Sequence, residues 1–356
     1  MTVPERARGT VPNDHPGINA MASTSLRYLS RSDIAAIGGD HSDLYMAAIE
    51  EGFRLHAAGD FIQPLKPYLR SPRAPHIADR IIAMPAWIGG ERPAAGLKWI
   101  GSKHDNPAVR GLERASALIV LNDPETNYPV AIMEAGLLSA MRTAAVTGIA
   151  VRHLARSDFS EAALIGCGPI AERQARTLAE QFPSLTRLRL FDLREAAAED
   201  LSARLRDSFP HLETVIATSA EAAVRECPVV VTCTVTDRPY LPFRWLSPGT
   251  LLANVSIMDV ERDVFLKADK VVVDDWDQCN REKKIINLLV EAGEFSREKL
   301  HAELGEIVVG RKPGRENGDE IILLNPMGMA IDDIACARAI LRRAEAAGAG
   351  TVLPLF

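Results

Sequence analysis

The sequence predicts an α/β fold made of an open domain with a parallel sheet and a smaller, discontinuous α+β domain. The chain has 356 residues, more than a single hydrophobic core usually organises. From Glu161 onwards, continuous apolar runs alternate with amphipathic patterns, which is typical of strands buried on both faces of a parallel sheet. Before that point, short extended stretches are broken by Pro and Gly, which favours a small, mostly β unit.

The composition excludes several classes of protein. Hydrophobic residues make up 47% of the chain and charged residues 25%, as in an ordinary globular protein. The net charge of −6 offers no basic surface for nucleic acid or for an anionic membrane. No apolar run approaches the roughly 18 residues of a membrane span, and no signal-peptide core is visible. We therefore expect neither a nucleic-acid partner nor a membrane.

The cysteines and histidines point to a reduced compartment without a metal. The five cysteines are scattered, odd in number and never closely paired, whereas zinc sites and redox motifs use close pairs. This pattern favours a cytoplasmic protein. The eight histidines show no metal-ligand spacing, and we expect no metal.

The smaller domain is predicted to begin after a polar tail, residues 1–24, whose Pro and Gly content is typical of a mobile segment. A helical pattern runs from about Leu29 to Ala58 and ends at Gly59. Extended stretches follow from Phe61 to Val120. A helix of small and apolar residues is then predicted to begin after the segment "DPETNYP".

The open domain is predicted from six apolar runs, each a buried strand: "AALIG", "LRLFD", "TVIAT", "PVVVTCTV", "TLLANVS" and "KVVVDD". A last helix, from about Met327 to Ala347, carries an apolar stripe and ends at Gly348. A single terminal helix cannot form a core, so we expect it to return to the first unit. The predicted domains are therefore 25–145 with 323–356, and 146–322.

A glycine motif, G-x-G-x-x-A, lies in "AALIGCGPIAER" between a predicted strand and a predicted helix. Gly166 and Gly168 permit a tight turn and bring backbone N–H groups against a pyrophosphate at the positive end of the helix. The next strand ends in Asp192, where a carboxylate binds both ribose hydroxyls of NAD. The motif predicts a Rossmann-type NAD-binding domain. The alternative interpretation is a tight turn with a capping aspartate.

The cofactor is predicted to be NAD, because the Asp192 carboxylate repels the 2′-phosphate of NADP, although Arg194 keeps NADP possible. Cys167, between the two glycines, is interpreted as a small filler more readily than as a reactive thiol. The residues that we assign to the cofactor site are Gly166, Cys167, Gly168, Pro169, Ile170, Asp192, Arg194, Thr234 and Ser256.

A single arginine, Arg142, lies in the apolar helical stretch "LLSAMRTAAVTGIA". A guanidinium does not lose its proton, so a buried Arg142 requires an anion close by. Glu134 is eight residues away and off the same helical stripe, which argues against a pair within the helix. We interpret Arg142 as an unpaired cation kept for a substrate carboxylate, with a structural ion pair as the alternative.

Several segments together resemble the ornithine cyclodeaminase and mu-crystallin family, over about residues 30 to 350: the glycine motif, "LKWIGS", "LND", "RTAA" and "NPMGMAIDD". The resemblance implies an enzyme that forms a homodimer through the small β-rich domain. It also implies an amino-acid substrate that lies between this domain and the nicotinamide.

Three cations match the substrate-binding positions of the family: Arg70 in "PLKPYLR", Lys98 in "GLKWIGS" and Arg142 in "MRTAA". The resemblance implies that the two arginines bind the substrate carboxylate and that Lys98 lies beside the reacting amine. These roles suit the residues, because guanidinium groups match carboxylates and a desolvated lysine can exchange protons. Without the resemblance, Arg70 and Lys98 would be interpreted as solvated strand charges.

Two positions depart from the cyclodeaminase pattern. Ornithine cyclodeaminases have a strand that ends in G-G-D, whose aspartate handles the side-chain amine in ring closure. Here "ANVSIMDVERD" places Met258 at that position and Asp259 one residue later. Where a cyclodeaminase has threonine, "GLERAS" places Arg114. The first departure argues against cyclisation, and the second adds a cation to the expected pocket.

An additional cation suits a substrate with additional carboxylates. The segments "QPLKPYLR", "RAS" and "DDWDQCNREKK" resemble the branch of the family that oxidises N-((2S)-2-amino-2-carboxyethyl)-L-glutamate, a tricarboxylate, in the synthesis of siderophores and peptide antibiotics. The resemblance implies hydride transfer from the glutamate Cα, hydrolysis of the resulting imine, and release of 2-oxoglutarate and L-2,3-diaminopropionate. Lys98 or Asp259 is expected to carry the proton transfers, and Arg70, Arg114 and Arg142 to bind carboxylates.

Other functions stay open at this point. They are cyclodeamination of ornithine or lysine, reduction of a cyclic ketimine, and binding of a dinucleotide and a small ligand without chemistry, as in a mu-crystallin-like protein. Asp332 and Asp333 lie at the start of the last helix, where capping is favoured over catalysis. The acidic residues of "DDWDQCNREKK" are interpreted as a solvated loop.

Overall fold

A computed structural model describes residues 25–355 except 75, 77, 257, 282 and 283, so the predicted tail, 1–24, lies outside the described residues. The chain is organised around two eight-stranded sheets, which we call sheet A and sheet B. No helix in the part of the chain that the structure describes is both long and apolar enough to cross a membrane.

The first half of the chain contains most of sheet A. Its strands and helices are β1 (Ser25–Leu29), α1 (Arg31–Ala36), α2 (Ser42–Ala58), β2 (Phe61–Ile62), β3 (Tyr68–Leu69), β4 (Arg80–Ile88), β5 (Ala94–Ser102), α3 (Asn106–Arg110), β6 (Ala115–Asn122), β7 (Pro129–Glu134) and α4 (Gly136–Leu154).

The second half contains sheet B and then returns to sheet A. Its strands and helices are β8 (Glu161–Ile165), α5 (Pro169–Gln181), β9 (Arg187–Phe191), α6 (Glu195–Ser208), β10 (Glu213–Ile216), α7 (Ala220–Val224), β11 (Val229–Thr232), β12 (Leu251–Asn254), α8 (Arg262–Lys267), β13 (Lys270–Val273), α9 (Trp276–Cys279), α10 (Ile285–Glu291), β14 (Ala302–Glu303), α11 (Leu304–Val308), β15 (Ile322–Leu324), α12 (Ala330–Ala347) and β16 (Thr351–Pro354). Short 3₁₀ turns occur at Phe243–Trp245 and Arg297–Lys299.

Sheet B is parallel throughout, in the order β10-β9-β8-β11-β12-β15-β13-β14. All six apolar runs that predicted strands form strands of this sheet, from β8 to β13. The expected burial is wrong for β10, which is largely exposed because it lies at the edge of the sheet. The chain leaves β8 towards one edge of the sheet and returns to the other side at β11, so the strand order reverses between these two strands. In open α/β sheets, ligands bind at the carboxyl ends of the strands beside such a reversal.

Sheet A is mainly antiparallel and has one covered and one exposed face. Its order is β16-β1-β7-β6-β5-β4-β2, with β3 paired to β4. Successive residues of a strand point to opposite faces. On β5, Lys98 therefore faces inwards and is 1% exposed, whereas Trp99 faces outwards and is 43% exposed. The inner face packs against α12.

The sequence predicted that a helix begins directly after "DPETNYP". This start is wrong, because Pro129–Glu134 forms β7 and the helix α4 begins at Gly136. The residues Ala131 to Met133 pair with β6 on one side and with β1 on the other. Their strand structure is fixed by partners distant in sequence. The helical pattern from Leu29 to Ala58 likewise divides into α1 and α2, with β1 before them.

The last helix docks as the sequence suggests. The helix α12 contacts α2, α4 and the strands β4 and β5, and β16 pairs with β1 at the edge of sheet A. This arrangement supports the expected return to the first unit. The domain limits themselves stay a proposal, with 25–145 and 323–356 around sheet A and 146–322 around sheet B.

Candidate active site

A buried ion pair joins β5 to the start of α12. The Nζ atom of Lys98 lies 2.7 Å from Oδ2 of Asp333, and neither residue is more than 1% exposed. Lys98 Nζ also donates a hydrogen bond of 3.3 Å to Ser139 Oγ on α4. Asp333 lies in the first turn of α12, where the helix dipole stabilises a carboxylate.

Arg142 shares the same carboxylate. Its Nε atom lies 3.1 Å from the other oxygen of Asp333, Oδ1, and the residue is 9% exposed. The interpretation of Arg142 as an unpaired cation is therefore wrong, because Asp333 provides the required anion. The two aspartates also differ, since Asp332 accepts the N–H of Met329 as a cap at 3.2 Å, whereas Asp333 binds two cations.

The pKa values of Lys98 and Asp332 are both shifted towards neutrality. Burial lowers the pKa of Lys98 to about 8, the nearby charges of Arg142 and Lys66 add to this effect, and Asp333 opposes it. Burial also raises the pKa of Asp332 to about 7, against the opposing charge of Arg142. Burial lowers the pKa of Arg142, but Asp333 and the other nearby carboxylates outweigh it and keep the pKa above its usual value. A lysine that titrates near neutrality suits proton transfer.

The loop between β15 and α12, residues 325–329, positions Arg142. Gly328 has φ +74, and a Cβ atom there would lie 2.5 Å from Nη1 of Arg142. The backbone N–H groups of Met327 and Gly328 donate to the buried carboxylate of Asp274, at 3.0 and 2.6 Å. Lys66 Nζ donates to the carbonyl oxygens of Met327, at 3.1 Å, and of Gly328. The loop is thus held from both sides while glycine leaves room for the guanidinium.

Sequence reasoning missed Lys66, Asp274 and Gly328, and interpreted Asp333 as a cap. The segments "QPLKPYLR" and "NPMGMAIDD" that carried the resemblance contain three of these residues. The glycine between two methionines was the one local signal, because a buried loop that contains Gly often has a close backbone approach. Asp274 in "DDWDQCNREKK" is completely buried, so the solvated-loop interpretation is wrong for that residue.

The glycine motif adopts the conformation that its sequence predicts. Gly166 has φ +90, and a Cβ atom there would lie 3.0 Å from the backbone of Cys233. Gly168 precedes the first turn of α5, and apart from its chain neighbours no residue that the structure describes has an atom within 4 Å of the position that its Cβ would take. The N-terminus of α5 therefore faces open space, as a pyrophosphate site requires.

The carboxylate of Asp192 closes the turn. Its Oδ2 accepts the N–H of Cys167 at 2.8 Å, and its Oδ1 accepts the N–H of Arg194 at 2.9 Å. Asp192 is partly exposed and Arg194 is exposed. Cys167 is 3% exposed, and burial raises the pKa of its thiol to about 12. A buried, protonated thiol fits the filler interpretation of Cys167.

Thr234 and Ser256 lie after the carboxyl ends of β11 and β12. Thr234 Oγ1 donates to Oδ1 of Asp259, and Ser256 Oγ donates to Thr232 Oγ1 at 3.1 Å. Asp259 is completely buried, and burial raises its pKa to about 6, against the hydrogen bond from Thr234. Asp259 therefore exchanges a proton near neutral pH.

Two predicted carboxylate-binding residues lie in other surroundings. Arg70 is exposed, and its guanidinium lies over the ring of Tyr68, 4.9 Å from the centroid. Arg114 forms no ion pair with any residue that the structure describes, and burial lowers the pKa of its guanidinium. The structure thus joins Lys98 with Arg142 through Asp333, but Arg70 and Arg114 are not part of that ion-pair cluster.

Three potential metal ligands, His76, Asp79 and His104, have ligand atoms within 4.8 Å of one another. However, Lys103 Nζ lies 2.8 Å from Oδ2 of Asp79, where its positive charge opposes a metal cation. The N–H of Ala78 donates to His76 Nδ1 at 3.0 Å, so the neutral ring carries its proton on Nε2. The expectation that the protein uses no metal stays a prediction.

Comparison with known proteins finds relatives that match most of the chain. The model of the ornithine cyclodeaminase/mu-crystallin family matches residues 34–348. The N-((2S)-2-amino-2-carboxyethyl)-L-glutamate dehydrogenase of Staphylococcus aureus (strain NCTC 8325 / PS 47) is 55% identical over 330 residues, which is 92% of this chain and 98% of the relative.

Two solved structures share the architecture. An archaeal alanine dehydrogenase, a dimer with bound NAD, has a TM-score of 0.83 at 33% identity. The match covers 93% of this chain and 100% of the alanine dehydrogenase chain. The Delta(1)-pyrroline-2-carboxylate reductase of Thermococcus litoralis, in complex with NADH and L-proline, has a TM-score of 0.85 at 28% identity. The match covers 92% of this chain and 99% of the reductase chain. The chain therefore belongs to the ornithine cyclodeaminase/mu-crystallin family.

Proposed function

We propose that this protein is an NAD-dependent dehydrogenase that cleaves N-((2S)-2-amino-2-carboxyethyl)-L-glutamate to L-2,3-diaminopropionate and 2-oxoglutarate. The observation that carries this proposal is the 55% identity to the dehydrogenase named for that substrate, over 98% of its length. A role in supplying diaminopropionate for siderophores or peptide natural products is part of the proposal, and so is a cytoplasmic location, which the five free cysteines support.

NAD fits the residues at the carboxyl end of sheet B. Gly166 allows a turn in which a side chain would meet the backbone of Cys233. Pro169 has no N–H and the N–H of Cys167 is donated to Asp192, so we assign the pyrophosphate contacts to the N–H groups of Gly168 and Ile170. The two Asp192 oxygens keep lone pairs for the ribose hydroxyls. Thr234 and Ser256 would line the nicotinamide end of the same site.

The buried cation pair suits the carboxylate next to the reacting carbon. When bound, the nicotinamide supplies a hydride acceptor for the Cα of the glutamate portion of the substrate. Arg142, whose Nε lies 3.1 Å from Oδ1 of Asp333, would bind the adjacent carboxylate through its Nη atoms. Asp333 would hold both cations in place. Fixing the substrate in this way lowers the entropic part of the barrier.

Lys98 and Asp259 would carry the protons. Oxidation leaves a protonated imine between the glutamate Cα and the bridging nitrogen, and water then adds to that carbon. Lys98 Nζ in its neutral form would take the proton that the water loses as it adds, and would return it to the nitrogen. As the C–N bond breaks, the neutral Lys98 would take the hydroxyl proton, which leaves the ketone of 2-oxoglutarate and the free amine of diaminopropionate. The lowered pKa of Lys98, about 8, and the raised pKa of Asp259, about 6, give both groups access to either protonation state near neutral pH.

Incubation with NAD⁺ and the conjugate tests the proposal. We expect NADH absorbance to grow together with equal amounts of 2-oxoglutarate and diaminopropionate. Formation of proline from ornithine without net NADH would instead indicate a cyclodeaminase, and NADH consumption with a cyclic imine a ketimine reductase. Binding of NADH without turnover of any of these substrates would indicate a binding protein.

We also infer a homodimer that forms through the outer face of sheet A. This face carries an apolar row in which Trp99 pairs with Leu118 across β5 and β6, and they are 43% and 47% exposed. Ile81 on β4 is 37% exposed on the same face. A contiguous apolar patch on a sheet commonly marks a protein interface. The related archaeal structure described as a dimer supports a second copy as the partner.

A further inference from the structure

The side-chain amide of Gln63 caps the N-terminus of α12, which begins 267 residues further along the chain. Gln63 Oε1 accepts the N–H of Ala330 at 2.9 Å and that of Ile331 at 3.4 Å. The N-cap residue of this helix is Met329, whose thioether is only a weak acceptor for backbone donors. Gln63 therefore supplies a cap that the local sequence of α12 lacks.

The orientation of the Gln63 amide follows from these contacts. Its oxygen must face the two N–H groups, because the opposite orientation would place donors against donors. Its nitrogen, Nε2, therefore donates to Oδ2 of Asp275 at 3.1 Å. Gln63 lies directly after β2, which pairs with β4 in sheet A, and Asp275 lies two residues after β13 of sheet B. One amide thus links both sheets to the start of α12.

Asp275 is held as an acceptor by its other contacts. Its Oδ2 also lies 3.1 Å from Nε2 of His56, on α2, and its Oδ1 accepts the N–H of Gln278 at 2.8 Å. Burial alone would raise the pKa of Asp275, but these hydrogen bonds outweigh it and keep that pKa below its usual value. Asp275 is 8% exposed, so the solvated-loop interpretation is wrong for this residue as well. Its carboxylate gives Gln63 a fixed, charged partner.

The turn that Gln63 caps is also the turn that carries Asp333, three residues after Ala330. The Asp333 carboxylate lies 2.7 Å from Lys98 Nζ and 3.1 Å from Arg142 Nε. These cations belong to β5 and α4, so the lengths of both ion pairs depend on where α12 begins. A displacement of about 1 Å would weaken both contacts, because charge-assisted hydrogen bonds need short distances.

We propose that Gln63 is a positioning residue of the active site, which holds the start of α12 against Asp275 and thereby keeps Asp333 between Lys98 and Arg142. The inference rests on the proposed function and extends its machinery to a side chain that acts on the ion pairs only through α12. A residue of this kind should affect the proton affinity of Lys98 as well as the rate, because Asp333 raises the pKa of that lysine.

Gln63→Met tests this role, since methionine has a similar volume but cannot donate to Asp275. Lys98 faces Asp333 on α12, Arg142 on α4 and Lys66 before β3, and of these Asp333 alone raises its pKa. Displacement of Asp333 should therefore move the rise of kcat/KM to lower pH and lower its plateau roughly tenfold to a hundredfold. Gln63 is partly exposed, so we expect the variant to fold.

Gln181→Met is the matched control. Gln181 is also partly exposed, and its Nε2 donates to side chains at the start of a helix, Ser42 at 3.0 Å and Asp43 at 2.7 Å on α2. Both variants should show similar shifts in thermal unfolding, but Gln181→Met should leave the pH profile of kcat/KM unchanged. A profile of Gln63→Met that matches the wild type would overturn the positioning role, whatever its rate.

A double variant separates an effect through Asp333 from an independent one. In the Asp333→Asn background, the charge that Gln63 positions is absent. Addition of Gln63→Met should then produce no further shift of the pH profile and less than about a threefold further loss of kcat/KM. Losses that multiply in full would show that Gln63 acts independently of Asp333 and would overturn the inference.

Crystal structures of the variants test the inference independently of the proposed reaction. In Gln63→Met, we expect the distance between Asp333 Oδ2 and Lys98 Nζ to exceed the 2.7 Å of the wild type, and in Gln181→Met to stay the same. If the wild type fails to oxidise the glutamate conjugate but the distance changes in this way, the proposed function falls and the positioning role stands. Oxidation of the conjugate with an unchanged distance in Gln63→Met would overturn the positioning role alone.

Discussion

Asp333 lies between two cations that the fold buries almost completely. Its oxygens contact Lys98 at 2.7 Å and Arg142 at 3.1 Å. A charge removed from water to this extent is tolerated only when an opposite charge or a hydrogen bond compensates it. The carboxylate therefore fixes both side chains, and it also affects when Lys98 holds a proton.

The pH dependence of activity tests the proposed role of Lys98 in proton transfer. Because Lys98 accepts a proton only in its neutral form, kcat/KM should rise with pH through about 8, the lowered pKa of this lysine. Asp333 raises that pKa, so Asp333→Asn should move the rise to lower pH, in addition to any loss of rate. The measurement is kcat/KM against pH for both proteins. A rise near pH 6 that is the same in both would assign the proton transfer to Asp259, whose pKa is about 6.

Arg142→Gln should lower kcat/KM by roughly a hundredfold or more, because one charge-assisted contact to the substrate carboxylate is commonly worth about 2 to 4 kcal/mol. Steady-state kinetics at saturating NAD⁺ measures the effect. Arg206→Gln, at an exposed position on α6, provides the control. A loss of less than threefold would show that Arg142 serves Asp333 and not the substrate.

At the residue scale, the sequence predicted which charges matter better than it predicted their partners. Arg142 was identified because it is a charge within an apolar helical stretch. Lys98 was identified because its segment resembles the family. Asp333 could not be identified as their partner, because it is about 190 residues further along the chain than Arg142 and its position at a helix start has a simple capping explanation. Only the packing of α12 on sheet A brings the three together.

The loop before α12 links backbone conformation to the active site. Gly328→Ala places a methyl group 2.5 Å from Arg142 Nη1, in a backbone with φ +74. Left-handed backbone at a residue other than Gly costs roughly 1–2 kcal/mol, and displacement of the guanidinium adds a loss of activity. Gly348→Ala has the same kind of backbone, φ +63, with open space around the new Cβ. We expect similar shifts in thermal unfolding but a large fall in kcat/KM only for Gly328→Ala; equal activity in the two variants would contradict the role of Gly328.

We expect the turn after β9 to set the choice of cofactor. Asp192→Asn keeps an oxygen that can accept the N–H of Cys167 but removes the charge that repels a 2′-phosphate. We expect KM for NAD⁺ to rise about tenfold and KM for NADP⁺ to fall, since Arg194 stays in place. Initial rates with each cofactor measure the ratio. An unchanged NAD⁺/NADP⁺ ratio would show that Asp192 acts only as a cap of the turn.

At the element scale, sheet B was predictable and sheet A was only partly so. The strands β8, β11, β12 and β13 are short, mostly apolar runs, because both faces of the sheet are buried there. By contrast, β9 alternates Arg and Leu, and the edge strand β10 is largely exposed. The strand β7 has no such local signature. Its Val130 to Met133 segment continues into the α4 helix in apolar character, and pairing with β1 and β6 decides its structure. Pairing of this kind is a tertiary effect that local patterns do not contain.

For the whole molecule, we expect the outer face of sheet A to decide the oligomeric state. Trp99→Glu places a charge in the middle of the proposed apolar interface, where it would be buried without a partner. We expect this variant to sediment as a monomer of the 38.7 kDa chain, whereas the wild type sediments as a dimer. Leu266→Glu, on α8 and 45% exposed, is the control and should stay dimeric. A dimer in both variants would place the interface elsewhere.

In the proposed enzyme, the cofactor binds at the carboxyl ends of sheet B, and the cations that bind the substrate lie on the inner face of sheet A. The most direct test follows NADH, 2-oxoglutarate and diaminopropionate together after NAD⁺ and the glutamate conjugate are added to the wild-type protein. We expect one equivalent of each product per conjugate consumed. NADH formed without 2-oxoglutarate, or no consumption of the conjugate while ornithine, alanine or a cyclic imine is turned over, would contradict the proposed function.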